Sequence, residues 1–300
     1  STTSLLLRSA SRSSAVSLSH AIFEKRAHPH SRLVPITNGI NRTRWSLPAL
    51  AATSLSALSD EELWQLHTAQ RHELLAAVKK QTGVAMNEEA LTIVWAKRIA
   101  AYKRLDVLVG DLDRLAAILG DAQHPVNIII AGNASISAPN GRRLLDRVIE
   151  YTKDPRFAGR LVYLPDYSVT AAQNLVRGAD LWLNTPLRGN EACGTSSMKA
   201  GLNGSLQFST SDGWIDEVDL SDKGWVLPVE NVENSFYDIL QMQVIPLFYA
   251  RINNVPADWV KRMRRTMDIV TNHYTTRRML QEYLNRLYFP APTEIYKLYE

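Results

Sequence analysis

Two short segments carry residues whose types and spacing suit the binding of anions. In the first, Lys97, Arg98, Lys103 and Arg104 crowd into one stretch. In the second, Gly194-Thr195-Ser196-Ser197-Met198-Lys199, small and hydroxyl-bearing residues lead up to a lysine. Free backbone N–H groups and hydroxyls in such a turn can face a phosphate. The pattern predicts that Lys103 and Arg104 open one helix and that Lys199 lies in the first turn of another. A helix N-terminus carries partial positive charge, so a cation there is unfavourable unless an anion offsets it. Phosphate-like groups at both starts remove the conflict. Solvated cations and Gly-Thr-Ser turns are common, so either segment alone says little. Together on one edge of a sheet they say more. The spacing G-x-x-x-x-G-K-[ST] is absent, as is G-x-G-x-x-G after a strand, so a nucleotide is not specifically indicated.

The elements that must position these residues follow from hydrophobic patterning. Short apolar, β-branched or aromatic runs at Leu91 to Trp95, Val126 to Ala131, Leu161 to Leu164, Leu181 to Leu183 and Leu206 to Phe208 read as strands. Helical patterns separate them at roughly 104–119, 141–152, 169–178 and 196–203. Alternation of this kind predicts an α/β fold: a Rossmann-like, mostly parallel sheet with helices on both faces. All strand C-termini then share one edge, where such sheets bind ligands. Ahead of this block, Ser59-Asp60-Glu61-Glu62 has the form of a capping box. It opens a helix whose stripe runs through Leu63, Leu66, Leu74, Leu75 and Val78 towards Gly83. After residue 230 the chain reads as mainly helical.

Bulk properties narrow the function only a little. The net charge is +4, which fits an anionic small ligand as well as nucleic acid. Cys193 is the one cysteine, so an intramolecular disulfide framework is excluded and a reducing, cytoplasmic setting is favoured. No apolar run is long enough for a membrane span. No Cys/His cluster has metal-ligand spacing, so no metal is expected. The first twenty residues are serine-rich, contain Arg8 and Arg12 and lack acids, which imitates a mitochondrial transit peptide. The simpler reading is a polar-faced helix through Leu5, Leu6, Val16 and Ala21.

Several of these segments resemble the α-glucan (glycogen/maltodextrin) phosphorylases. Glu191 to Lys199, followed by Ala200-Gly201-Leu202-Asn203-Gly204, closely resembles the family's cofactor-lysine segment. Trp95 to Arg104 is similar to its phosphate-binding segment. Thr37-Asn38-Gly39-Ile40, with Arg44-Trp45, resembles a domain-joining motif. Gly178 to Pro186 is similar to the shorter bacterial and archaeal branch. The resemblance covers most of the chain, including the tail from Tyr283 to Pro292. It implies the C-terminal domain of a GT-B glycosyltransferase fold, in which two Rossmann-like domains face a cleft. Residues 1–35 would be the tail of an otherwise missing N-terminal domain, with its last helix near 4–26. Residues 36–275 would be the cofactor- and phosphate-binding domain, and 276–300 a helical tail.

By the same resemblance, Lys199 carries pyridoxal 5'-phosphate through an imine, which only a primary amine can form. Thr195 and Ser196 would hold the cofactor phosphate, supported by Lys97, with Trp45 and Tyr167 around the ring. Arg98 and Lys103 would bind the substrate phosphate. Asn38, Glu191, Cys193 and Gly194 would bind the terminal glucose. Catalysis would rest on Arg98, Lys103 and Lys199. The implied reaction is phosphorolysis of an α-1,4-glucan to α-D-glucose 1-phosphate, in which the cofactor phosphate is the acid/base and its aldehyde carbon does no electrophilic work. Two dianions about 5 Å apart at an effective dielectric near 20 repel by roughly 13 kcal/mol, so clustered cations are needed. The implied partners are α-glucan or maltodextrin, inorganic phosphate and the missing N-terminal domain. Neither nucleic acid nor membrane is expected. The family often forms homodimers, mainly through the missing part.

Three positions depart from the family pattern. Asn133 stands where a lysine is usual, and the loop after it differs. Ser196-Ser197 replaces a glycine-containing pair. Ala100 replaces a histidine of the longer enzymes. Two other readings remain open: a nucleotide-sugar-dependent GT-B glucosyltransferase, with Lys199 and Arg98 on a diphosphate, and a glucan-binding remnant without activity.

Overall fold

Six strands dominated by apolar residues cannot sit at a surface, and in the computed structural model they form one central sheet. The structure describes residues 2–134 and 139–290. A small parallel pair, β1 (Ser13–Ala15) and β2 (Leu33–Pro35), precedes the main sheet. The main sheet comprises β3 (Leu91–Ala96), β4 (Val126–Ala131), β5 (Leu161–Leu164), β6 (Leu181–Asn184), β7 (Leu206–Thr210) and β8 (Gly224–Leu227). Its order is β5-β4-β3-β6-β7-β8 and every pairing is parallel. This is the doubly wound order, which reverses direction at β3. Leu91, Ile93 and Trp95 of β3 pack into one apolar cluster and Val94 and Ala96 into another, so helices cover both faces.

Helix Asp60–Thr82 begins at the capping box. Ser59 Oγ accepts from Glu62 N at 3.2 Å, and Glu62 Oε2 accepts from Ser59 N at 2.7 Å. It ends on Gly83 at φ 76°, a left-handed conformation that glycine adopts without strain. Leu63, Leu74, Leu75 and Val78 are buried and Leu66 packs partly buried against the core.

Four expectations need correction. The helix near 104–119 is instead two 3-10 turns, Ala101–Lys103 and Leu105–Val109, followed by helix Leu112–Gly120. Arg104 between the turns has φ 50°, which an α-helix cannot contain, and Asp111 caps the later helix by accepting from Arg114 N. Lys103 and Arg104 therefore do not open an α-helix, and the dipole argument does not apply to them. The single helix near 4–26 is two helices, Thr2–Ser9 and Leu18–Ala27, separated by β1. Ser17 caps the second one by accepting from His20 N. The serine-rich stretch between them has low helix propensity and pairs with β2 instead. The helix near 196–203 is shorter, Ser196–Gly201. Strand β8 was not expected, because four residues that begin with a glycine and end at a proline carry little periodic signal.

The C-terminal region is helical as expected, with helices Val232–Ile239, Ile245–Tyr249, Ala257–His273 and Thr276–Tyr283. Residues 291–300 of the expected tail lie outside the described residues. Among the described residues, no helix is long and apolar enough to cross a membrane.

Candidate phosphate and cofactor site

The order reversal at β3 opens a crevice at the C-terminal ends of β3 and β6, and both candidate anion-binding segments lie past strand ends on that edge. Lys97 directly follows β3 and is buried. Its Nζ donates to Leu183 O at 2.9 Å and to Asn184 Oδ1 at 2.6 Å, at the end of β6. Asn184 in turn donates to Ser209 Oγ of β7 at 3.1 Å. Burial, then the charge of Lys103, holds the Lys97 amine well below the ordinary lysine range. Among the described residues no carboxylate pairs with it.

Gly132, just after β4, shapes the same turn. Its φ is 146°, and a Cβ there would lie 1.8 Å from Lys97 O. Lys97 N donates to Ala131 O, and Ile99 N donates to Asn133 O at 3.0 Å. The backbone of Asn133 thus braces the Lys97 loop, while its side chain is exposed. The differing loop beyond it, residues 135–138, lies outside the described residues. Gly132→Ala is expected to cost about 1–3 kcal/mol of stability, measured by urea unfolding, because backbone must move away from the new methyl group.

Arg98 is exposed and donates to Tyr102 Oη at 3.2 Å. Lys103 points inward and forms an ion pair with Glu191. Burial and the Arg98 charge lower the Lys103 amine to about 8, with Asp212 opposing them. The structure therefore brings an expected phosphate ligand against an expected sugar ligand. Glu191 is not paired with Arg188, which instead reaches Asp216 at 3.5 Å.

Lys199 lies in helix Ser196–Gly201, with Thr195 at the cap position. The Thr195 hydroxyl makes no capping hydrogen bond. The Lys199 Nζ sits 3.9 Å from the centroid of the Trp45 ring. Among the described residues no carboxylate pairs with it. Burial, then the charge of Arg44, lowers its pKa. Trp45 and Tyr167 both pack, partly buried, against the same apolar cluster. Neither Ser196 nor Ser197 has a left-handed backbone, so a glycine is not required at either position. Ser197 Oγ instead accepts from the Trp214 indole at 2.8 Å.

The sugar-side residues also meet. Asn38 Nδ2 donates to Cys193 O at 3.4 Å. Gly39 lies so close to Thr275 that a Cβ would fall 2.3 Å from its carbonyl oxygen. Arg278 donates to the carbonyls of Thr37 and Asn38, tying this motif to helix Thr276–Tyr283. Burial pushes the Cys193 thiol up to about 12, which leaves it protonated and unreactive as a nucleophile.

Four residues that the sequence reading gave no role in the site contribute to it: Arg44, Asn184, Thr185 and Asp212. Thr185 Oγ1 reaches the carbonyls of Lys103 and Arg104 at 2.9 and 3.0 Å. Asp212 Oδ2 accepts from the N–H groups of Gly189 and Glu191, each at 3.0 Å, and so shapes the Glu191 loop. Burial raises the Asp212 carboxyl to about 6 despite these bonds. The available signal was position, since Asn184, Thr185 and Asp212 all sit at or just past strand C-termini.

The chain is thus an α/β protein built on a doubly wound parallel sheet, with Lys97, Arg98 and Lys103 clustered past the end of β3 and a half-buried Lys199 beyond the end of β6. The carbohydrate phosphorylase family model matches residues 35–223, and the chain belongs to that family. Glycogen phosphorylase of Aquifex aeolicus is 35% identical over 257 residues, covering 77% of this chain and 37% of that protein. Glycogen phosphorylase of Mycobacterium tuberculosis is 32% identical over 302 residues, covering 85% of this chain and 35% of that protein. Maltodextrin phosphorylase of Thermococcus litoralis is 34% identical over 257 residues, covering 78% and 30%. The chain spans about a third of the length of the curated relatives it matches.

Proposed function

We propose that this chain is the cofactor- and phosphate-binding domain of an α-glucan phosphorylase, the C-terminal half of a GT-B fold, acting on glycogen or maltodextrin in the cytoplasm. Residues 1–35 belong to the preceding domain, 36–275 to this one, and 276–300 to a tail, whose Arg278 donates to the backbone of the Asn38 motif. The observation that carries the reading is the environment of Lys199. A half-buried amine with a lowered pKa, lying on an indole face and with no carboxylate partner among the described residues, is poorly explained as structure. It suits a lysine that binds a carbonyl compound, since only the neutral amine attacks a carbonyl. The residues present therefore fit pyridoxal phosphate. Thr195 and Ser196 at the start of the short helix, with Lys97 nearby at the sheet edge, would hold its phosphate. Trp45 and Tyr167 would flank its ring.

When bound, the cofactor supplies a phosphate group that can donate and accept a proton next to the substrate phosphate. The chain's own residues do the remaining work. Arg98 and Lys103 hold the substrate phosphate against the repulsion of the first one. Lys97 braces the site from behind through its bonds to the end of β6, and a phosphate nearby would favour its charged form. Glu191, Asn38 and the N–H groups of Cys193 and Gly194 fix the hydroxyls of the terminal glucose, so that its anomeric carbon faces the substrate phosphate. Cations fixed at the reaction point stabilise charge as it shifts between phosphate and leaving oxygen.

Borohydride reduction of the chain incubated with pyridoxal phosphate, followed by peptide mass analysis, tests the reading. A pyridoxyl adduct on Lys199 is expected. Its absence, or random labelling of surface lysines, would sink the proposal. The chain spans only about a third of the length of these relatives, and the second cleft wall is expected in their remainder. The isolated chain is therefore expected to release no glucose 1-phosphate from maltodextrin and phosphate in a coupled assay. Measurable release would show that one wall suffices.

A further inference from the structure

Lys103 and Glu191 belong to different halves of the proposed site, yet their side chains form an ion pair with each other. These side chains are only 11% and 14% exposed, so water screens the pair poorly. The pair is not needed to hold its two loops together. Leu187 N donates to Tyr102 O at 2.7 Å, which joins the loops through backbone. Thr185 Oγ1 anchors the carbonyls of Lys103 and Arg104 from behind. Thr210 Oγ1 donates to Pro186 O at 2.8 Å, and Asp212 holds the N–H groups of Gly189 and Glu191. With both backbones fixed in this way, the two side chains are free to change partners without moving either loop.

Each member also has a competing ligand of matching chemistry. An anion seeks Lys103, the more buried of the two cations assigned to it, while Arg98 lies exposed beside Tyr102. The same anion meets the Glu191 carboxylate as a like charge. Sugar hydroxyls are donors, and they seek the Glu191 carboxylate, whose Oε2 faces Lys103. We propose that the Lys103–Glu191 ion pair is an internal latch that makes inorganic phosphate and a glucosyl ligand bind with positive cooperativity. Phosphate draws Lys103 away and leaves Glu191 in need of donors. Sugar hydroxyls satisfy Glu191 and leave Lys103 in need of an anion. Either ligand alone must break the pair, whereas the second finds it already broken. The coupling is reciprocal by linkage. It also disfavours a site filled by phosphate alone.

The inference rests on the phosphorylase reading, and calorimetry separates the two. The chain loaded with pyridoxal phosphate is titrated with inorganic phosphate, alone and with saturating glucose, and then with glucose in the presence and absence of phosphate. Each ligand is expected to tighten the other by the same factor, at least about fivefold. Glu191→Gln removes the competing charge. It is expected to bind phosphate at least about fivefold more tightly than the parent and to lose the response to glucose. Lys103→Gln is expected to bind glucose more tightly than the parent, and it serves as the second variant should Glu191→Gln lose its fold by circular dichroism. Phosphate affinity that is indifferent to glucose and unchanged or weaker in Glu191→Gln overturns the latch while leaving the site assignment standing. Failure of parent and variants to bind phosphate or glucose overturns the site assignment, and the latch with it.

Discussion

Replacing Lys199 with arginine is expected to abolish the reducible pyridoxyl adduct while leaving the domain folded. Arginine keeps a positive charge over the Trp45 ring, so that contact of the Lys199 side chain survives in kind. It lacks a primary amine and stays protonated at every accessible pH, so it cannot hold a carbonyl compound covalently. Retained cofactor after dialysis should fall by roughly tenfold or more, since only the phosphate and ring contacts remain. Adduct mass and cofactor absorbance both read this, and an undiminished adduct elsewhere would show that Lys199 is not the attachment point. The pH dependence has a defined sign. Burial and Arg44 lower the amine below its ordinary 10.5, so its neutral fraction at mildly alkaline pH exceeds that of an exposed lysine. Labelling should therefore reach Lys199 at lower pH than the surface lysines. Between the lowered folded value and the unfolded one, the folded state binds fewer protons. Stability thus rises with pH through that window, and Lys199→Arg should remove this share of the slope.

The sheet and the cation cluster were readable because each depends on residue type at short range. Five of the six strands of the main sheet are apolar runs bounded by polar turns, and the capping box at Ser59 is spelled out in four letters. What connects the segments was not readable. Lys103 was placed at a helix start, whereas Arg104 in a left-handed conformation and Asp111 as a cap divide that stretch into turns. The choice between one helix and several turns was set by tertiary anchors such as Thr185, which sits far away in sequence just past β6. Pairings were equally hidden. Glu191 had a nearer candidate in Arg188, but loop geometry set by Asp212 delivers it to Lys103. Pattern reveals which groups are available, and long-range backbone contacts decide which of them meet.

Asp180→Ala is expected to be the most destabilising single change in the domain, at about 3–5 kcal/mol by denaturant unfolding. Asp180 directly precedes β6, at the sheet edge opposite the site, and is fully buried. Its Oδ1 accepts from Arg71 Nη1 and lies against His67 Nε2, each at 2.9 Å, while Oδ2 accepts from Thr92 N at 2.8 Å. Burial by itself would raise its pKa, but the Arg71 guanidinium, His67 and the Thr92 N–H together hold it below the ordinary carboxylate value. Removing the carboxylate strands Arg71, itself fully buried between Trp64 and Phe248, without a counter-charge. The folded pKa is depressed, so the stabilisation is present above the unfolded value near 4 and is lost as pH falls through the folded one. The alanine variant should therefore show a flatter acid limb than the parent. The double variant Arg71→Met with Asp180→Ala should recover part of the loss, because most of the cost lies in the unpaired guanidinium rather than in the missing bond. If the double variant is less stable than Asp180→Ala by the full cost of removing Arg71 alone, the two residues are independent and the ion-pair account fails. The pair ties helix Asp60–Thr82 to the starts of β3 and β6, so its loss should also loosen the two strands whose opposite ends carry Lys97 and Asn184. Hydrogen exchange of the Thr92 and Leu206 amides, bonded to Asp180 through its carboxylate and its carbonyl, would report that loosening directly.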